Sequence, residues 1–298
     1  MSGVRMFARP VLALFVIGIL TISGCSSTKP AGSASSKVKE DFAKAQTLYD
    51  KRKYDEAALK LESLIFTSRA TALEGDVLFL LAQSYYNDKQ YLLAADSYSR
   101  LLKQVPSSRY AKAAQFMLAK SYEKLSPQFE LDQQHSVKAI EQFSLFLELY
   151  PEADSAKITN DLETYRQLMK VNPDNPSYRE SYESTKAQFG KIDTLRYAAK
   201  AIPVLKEKLA KHSFFIAKNY VQLKKYRAAG IYYDEIIRRY PDSSFIQQAW
   251  TGKIDMLVKR KKWFDASQAL DLYLQIYPEK QKQMQGIREK ISQNLKNS

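Results

Sequence analysis

The stretch LAQSYYNDKQYLLAADSYSRLLKQVP, residues 81–106, has the layout of two short helices joined by a polar turn. Its first half carries the small Ala82 and the aromatic Tyr85 three apart. Its second half carries Ala94, Tyr98 and Leu101 at helical spacing. Pro106 ends the unit, because its ring clashes with the preceding turn and it has no N–H to continue a helix.

The same offsets recur along the chain. Ala217, Tyr220, Tyr226, Ala229, Tyr233, Ile236 and Pro241 repeat them position for position. Ala119 and Tyr122 begin another copy, which resumes at Ala139, Phe143, Phe146 and Pro151 after eight extra residues. Ala45, Leu48, Tyr54, Ala57, Leu61 and Leu64 form a copy that lacks the proline. Ile254, Leu257, Trp263, Ala266, Leu270, Tyr273 and Pro278 form the last. Alanine lets paired helices cross closely, and large aromatics fill the holes beside it.

This pattern of small, aromatic, alanine, aromatic and proline resembles the tetratricopeptide repeat. The resemblance implies an all-α, right-handed solenoid of about five helix pairs, since one pair cannot bury its apolar face alone. Scarce glycine (nine residues, four of them before residue 33) agrees with a helical chain. Residues 152–205 interrupt the array with two helical stretches, near Ser155–Val171 and Ser177–Ala201, around the turn Asn172-Pro173-Asp174-Asn175-Pro176. They read as an extra helical hairpin between repeats three and four. A long helix over Val204–Tyr220 then enters repeat four, and Glu279–Lys296 suits a terminal cap.

The N-terminus reads as an export signal. Arg5 and Arg9 precede an apolar run, Val11 to Leu20, and Ile22-Ser23-Gly24-Cys25 supplies small residues at a cleavage site. The run is about half the ~20 residues of a membrane-spanning helix. The segment resembles the lipobox of bacterial lipoproteins. That implies cleavage before Cys25, a lipid on its sulfur and acylation of the new amine. Ser26 after the cysteine favours sorting to the outer membrane by the same resemblance. Cys25 is the chain's one cysteine, so no disulfide framework exists. The expected organisation is a signal at 1–24, a lipidated flexible tether at 25–38, repeats one to three at 39–151, the insertion at 152–205, and repeats four and five with a capping helix at 206–298.

Loss of residues 1–24 lowers the net charge from +14 to +12. Export argues against nucleic acid as the partner, so the basic surface meets anionic lipid or an acidic protein surface, or is simply solvated. No metal or cofactor site is expected. His135 and His212 lack ligand neighbours at metal spacing. No phosphate loop or nucleophile elbow occurs. The carboxylate pairs Asp55-Glu56 and Asp234-Glu235 sit among lysines, as solvated helix faces do. Nothing supports an enzyme.

Aligned copies expose a second register. Phe42, Phe79 and Phe116 are 37 residues apart, and Phe214 holds the same place in repeat four. Gln46 and Gln83 coincide, as do Tyr49 and Tyr86. In the repeat family these offsets point into a groove, so they form a candidate ladder for an extended client peptide with aromatic side chains. The phenylalanines are equally suited to filling the core between repeats.

Two runs narrow the family. Leu125-Ser126-Pro127, Leu131-Asp132-Gln133 and Lys138-Ala139-Ile140 form one; Leu205-Lys206-Glu207-Lys208-Leu209-Ala210 leading into Phe214-Phe215-Ile216-Ala217-Lys218 forms the other. In order and spacing they resemble the BamD family of lipoproteins, also called ComL/YfiO, over about residues 38–278. The insertion and the missing first proline depart from its pattern. The resemblance implies a non-catalytic subunit of the β-barrel assembly (BAM) machinery on the periplasmic side of the outer membrane. Its partners would be the POTRA region of BamA, other BAM subunits, and unfolded outer membrane proteins. On that implication Tyr232, Arg238, Arg239, Lys259, Arg260, Lys261 and Trp263 are candidates for the BamA side, arginine and tryptophan being frequent hot-spot residues. A solvated basic rim is the other reading of that set. Other repeat lipoproteins, such as a secretin pilotin or a peptidoglycan-synthesis coordinator, are the competing class.

Overall fold

A computed structural model describes residues 31–151 and 155–296, with the side chains of 31–35, 155–156 and 187–192 excepted. Cys25, the signal segment and the start of the tether lie outside the described residues. Among the described residues the chain is all helix and turn. The helices are α1 (Ala31–Asp50), α2 (Tyr54–Glu62), α3 (Glu74–Asn87), α4 (Tyr91–Gln104), α5 (Ala111–Leu125), α6 (Gln134–Leu149), α7 (Ser155–Val171), α8 (Pro176–Gln222), α9 (Tyr226–Arg239), α10 (Ile246–Lys259), α11 (Trp263–Ile276) and α12 (Gln281–Lys296).

Repeats one to three pair α1 with α2, α3 with α4, and α5 with α6. Repeat four pairs the end of α8 with α9, and repeat five pairs α10 with α11. The first helix of a pair is its A helix and the second its B helix. Packing runs from each helix to the next in sequence, with α6 passing over α7 to α8. The alanines of the repeat pattern, Ala45, Ala57, Ala82, Ala94, Ala119, Ala139, Ala217, Ala229 and Ala266, are all fully buried. Helix axes can approach there because no longer side chain intervenes. α12 closes the array by burying Met284 and Ile291 against repeat five.

Each A-to-B turn of repeats one, two, four and five is closed in the same way. Arg52, Lys89, Lys224 and Lys261 adopt positive φ, between 56° and 63°. In each the following residue donates to a carbonyl five residues back, as in Lys53 N to Leu48 O (3.0 Å) and Lys262 N to Leu257 O (2.9 Å). This Schellman closure usually employs glycine. Here a cation takes the place, where it meets the negative end of the helix dipole.

Two expectations are corrected. The tether was expected to stay flexible to residue 38, but α1 begins at Ala31. Beyond Gly32 the segment has no breaker, and its alanines and lysines favour helix. Separate helices were expected on either side of residue 203, with the insertion ending at 205. Instead α8 runs for 47 residues through Pro203. Leu195, Ala198, Ala201 and Leu205 form one apolar stripe across the proline and bury against Ala119, Ala139, Phe143 and Phe146. That packing offsets the roughly 3 kcal/mol cost of an interior proline. The solenoid therefore resumes near Leu195, and only α7 and the first part of α8 project as a hairpin. Asn175 caps α8 by accepting from Ser177 N (3.0 Å), with Pro176 in the first turn.

Gly252 in α10 marks another close approach. A Cβ there would lie 2.6–2.8 Å from the Tyr233 ring. Gly252→Ala is expected to lower stability by about 1–2 kcal/mol, because overpacking outweighs the ~1 kcal/mol gained in helix propensity. Urea unfolding checks this, and an unchanged midpoint would refute it.

Candidate functional site: the A-helix face and the basic turns

The phenylalanine register is a packing register. Phe79 stacks on Tyr110 (4.3 Å, 4° between planes) and meets Tyr98 edge-on at 6.1 Å. Phe214 repeats this with Phe245 at 5.2 Å and Tyr233 at 6.0 Å. Phe116 sits among Phe143, Phe146 and Tyr197. Phe42 packs half-buried on the first core cluster. Each ring bridges its own B helix or the next repeat, so the structure assigns these side chains chiefly to the core between repeats.

The tyrosine and glutamine register remains at the surface of the A helices. Asn87 Nδ2 donates to the Tyr49 hydroxyl at 2.8 Å, and that hydroxyl reaches Gln83 Oε1 at 3.5 Å. Gln46 donates to Asp50 at 3.0 Å. Tyr49 and Tyr86 each stand edge-on, at 5.3 Å, to the aromatic that opens their own B helix, Tyr54 and Tyr91. Burial raises the pKa of both hydroxyls, so they stay protonated donors near neutral pH.

The next step of the same register falls on Lys120 and Glu123. There the face ends on Tyr197 of α8. Its hydroxyl donates to Glu123 at 2.7 Å, and Lys120 Nζ lies 3.8 Å from its ring centre. Burial and the Glu123 hydrogen bond push the Tyr197 pKa up to about 12. Sequence reasoning missed all three residues. The 37-residue spacing that linked Gln46 to Gln83, and Tyr49 to Tyr86, leads directly to Lys120 and Glu123; Tyr197 had no such signal.

The two family-like runs meet in space. Lys208 Nζ donates to Ser126 Oγ (2.6 Å) and to the Pro127 carbonyl (3.1 Å). His212 Nδ1 lies 2.6 Å from the Phe129 carbonyl. Lys211 covers the Phe129 ring at 3.9 Å, and Phe129 meets Phe215 edge-on at 5.8 Å. Gln133 braces the same loop by donating to the Gln128 and Leu131 carbonyls. Burial lowers the Lys208 pKa. The eight extra residues of repeat three are thus a loop clamped to α8. His135, the other histidine, stacks on Tyr122.

The BamA-side candidates split into two groups. Lys259 and Arg260 lie at the α10–α11 turn. Lys259 pairs with Asp255 (2.8 Å) and faces the Tyr226 ring at 5.3 Å. Arg260 joins Lys224, Lys225, Arg227 and the exposed Ile231 around an open hollow of about 500 Å³. Lys261 and Trp263 follow in the same turn region. Arg238 and Arg239 stand at the far end of α9, about 20 Å along the helix from Tyr226. There Arg239 pairs with Glu235 at 3.2 Å. Tyr232 stacks on Tyr220 between the two ends. The seven residues therefore do not make one patch.

The described residues hold no cluster of histidine, cysteine or carboxylate side chains able to bind a metal ion. The carboxylate pairs take part in surface ion pairs, Glu56 with Lys53 and Asp234 with Lys253. No helix among the described residues is long and apolar enough to cross a membrane.

Comparison with known proteins gives two family matches. Residues 34–169 match YfiO, described as an outer membrane lipoprotein, and residues 216–243 match a tetratricopeptide repeat. No curated protein matches the chain. Among solved structures it is similar to the TPR2AB-domain:pHSP90 complex of yeast Sti1, at 17% identity and a TM-score of 0.32, over 87% of this chain and 99% of that one. It is also similar to a tetratricopeptide repeat protein from Parabacteroides merdae, at 14% identity and a TM-score of 0.33, over 87% and 98%. The second repeat, the row from Tyr49 to Glu123 and the clamped loop all lie within the first family match. Over residues 34–169, a little under half of its length, the chain is similar to the YfiO family of outer membrane lipoproteins.

Proposed function

We propose that this lipoprotein is the BamD-type subunit of the outer membrane β-barrel assembly machinery, working by binding and not by catalysis. The family match over repeats one to three carries this reading. Lipid on Cys25 would hold the solenoid at the periplasmic face of the outer membrane and raise its effective concentration near BamA. The row Gln46, Tyr49, Gln83, Tyr86 would take an unfolded barrel protein. Its amides can bond an extended backbone, and its rings give contact area at low entropic cost. The hollow beneath Arg260, with its four cations around Ile231, is the better candidate for the POTRA region of BamA, because charge and an apolar centre coincide there. Arg238 and Arg239 drop out of that surface. Affinity purification of the chain from solubilised outer membranes tests the reading. BamA and barrel-protein clients are expected to co-purify; recovery of neither, with the chain intact, refutes it.

A further inference from the structure

The first repeat departs from the others at its B helix. α2 is nine residues long where α4, α9 and α11 have fourteen. Arg69 stands where they are followed by proline. After Glu62 the helix loosens into tighter turns, with Leu64 N on Leu61 O (2.9 Å) and Ile65 N on Glu62 O (3.2 Å). Hydroxyls compete for the freed carbonyls, as in Ser63 Oγ to Lys60 O (2.6 Å) and Thr71 Oγ1 to Ser68 O (2.5 Å). Residues 63–73 thereby bury Leu64 and Ser68 but leave Phe66 82% exposed, and Leu59 in α2 is 71% exposed.

Beside this loop lies a hollow of about 710 Å³ between the loop and the start of α1. Lys37 and Lys39 flank it, Val38, Leu64, Leu73 and Thr67 help line it, and the carboxylate of Asp41, also in its wall, is paired with Lys60 at 3.2 Å. Cations at the rim and an apolar floor suit an amphiphile. The position selects which one. Only residues 26–30 separate Cys25 from α1, so six residue steps of at most ~3.6 Å keep the start of α1 within ~22 Å of Cys25, and Lys37 lies about 9 Å further along the helix. We infer that the α2–α3 edge of repeat one rests on a phospholipid surface, with Phe66 entering the interface and Lys37, Lys39 and Arg69 facing anionic headgroups. The inference rests on Cys25 being lipidated. It gives the lipoprotein a second, non-covalent membrane contact that fixes the solenoid's orientation, since one lipid anchor alone leaves it free to swivel.

The test uses the full-length, processed lipoprotein reconstituted into vesicles of phosphatidylethanolamine and phosphatidylglycerol. Phe66→Trp is compared with the unaltered chain, whose tryptophans are Trp250 and Trp263. Brominated lipids are expected to quench the emission added by Phe66→Trp by more than half. They should leave that added by Leu223→Trp, at the exposed turn after α8 in repeat four, unchanged. Removing the three cations (Lys37→Gln, Lys39→Gln, Arg69→Gln) should relieve the quenching on anionic vesicles. Flotation with no extra quenching at Phe66→Trp overturns this proposal alone. Fluorescence that shifts only when a protein partner is added also overturns it. If the chain floats no better than its Cys25→Ser variant, the lipid anchor and this contact fall together.

Discussion

Replacing Tyr98 with alanine is expected to cost about 3–5 kcal/mol, in line with deletion of other large buried rings. The Tyr98 ring is fully buried and meets Phe79 edge-on, so its loss leaves a cavity in the core of repeat two. The hydroxyl has a different value. Among the described residues it is buried with no hydrogen-bond partner, and burial raises its pKa far above that of a free tyrosine. An unpaired buried hydroxyl lowers stability, so Tyr98→Phe should raise it by about 1 kcal/mol. The two substitutions at one position thus move stability in opposite directions.

The effect should also be local. Among the described residues the helices pack chiefly on their neighbours in the array, so stability is close to a sum over repeats and junctions. Both tryptophans, Trp250 and Trp263, lie in repeat five. In Tyr98→Ala, helical circular dichroism should begin to fall several degrees before tryptophan emission changes. Coincident transitions in the variant would contradict this and mark the solenoid as one cooperative unit.

The sequence was most legible where packing repeats. Alanines and aromatics at fixed offsets located five helix pairs, because close crossing admits few residue types. The same register misassigned Phe79 and Phe116 in part. A ring at that offset can face the groove or the neighbouring repeat, and spacing along one helix does not distinguish them. Tyr110, stacked on Phe79, and Tyr197, edge-on to Phe116, decide it, and neither belongs to the repeat pattern. Pro203 misled for a related reason. Local chemistry breaks a helix there, but a stripe from Leu195 to Leu209 is held by α6 and by the core of repeat four. The clamp between Lys208 and Ser126 spans 82 residues. Both runs were recognisable in the sequence, but their contact was not, because nothing local encodes it.

The largest functional effect is expected at Tyr49 and Tyr86. In the proposed function each ring would contribute contact area and a protonated hydroxyl on the A-helix face, and truncation of an important interface residue costs more than about 1 kcal/mol. The double variant Tyr49→Ala, Tyr86→Ala should therefore weaken binding of a peptide with alternating aromatic residues about hundredfold. Tyr49 also accepts from Asn87 and packs on Tyr54, so alanine loosens the junction of repeats one and two. Phenylalanine at both positions separates the effects, since it keeps the rings and removes only the hydroxyls. A loss of several-fold is expected for the phenylalanine pair, with unfolding unchanged. Phe79→Ala should show the reverse pattern, a large loss of stability through Tyr110 and Tyr98, because its ring faces the core and not the ligand. Unchanged peptide affinity in a folded Tyr49→Ala, Tyr86→Ala chain would remove this face from consideration. A client of the proposed kind would then have to be sought elsewhere, with the loop clamped by Lys208 and its neighbours Val204 and Lys211 the next surface to test.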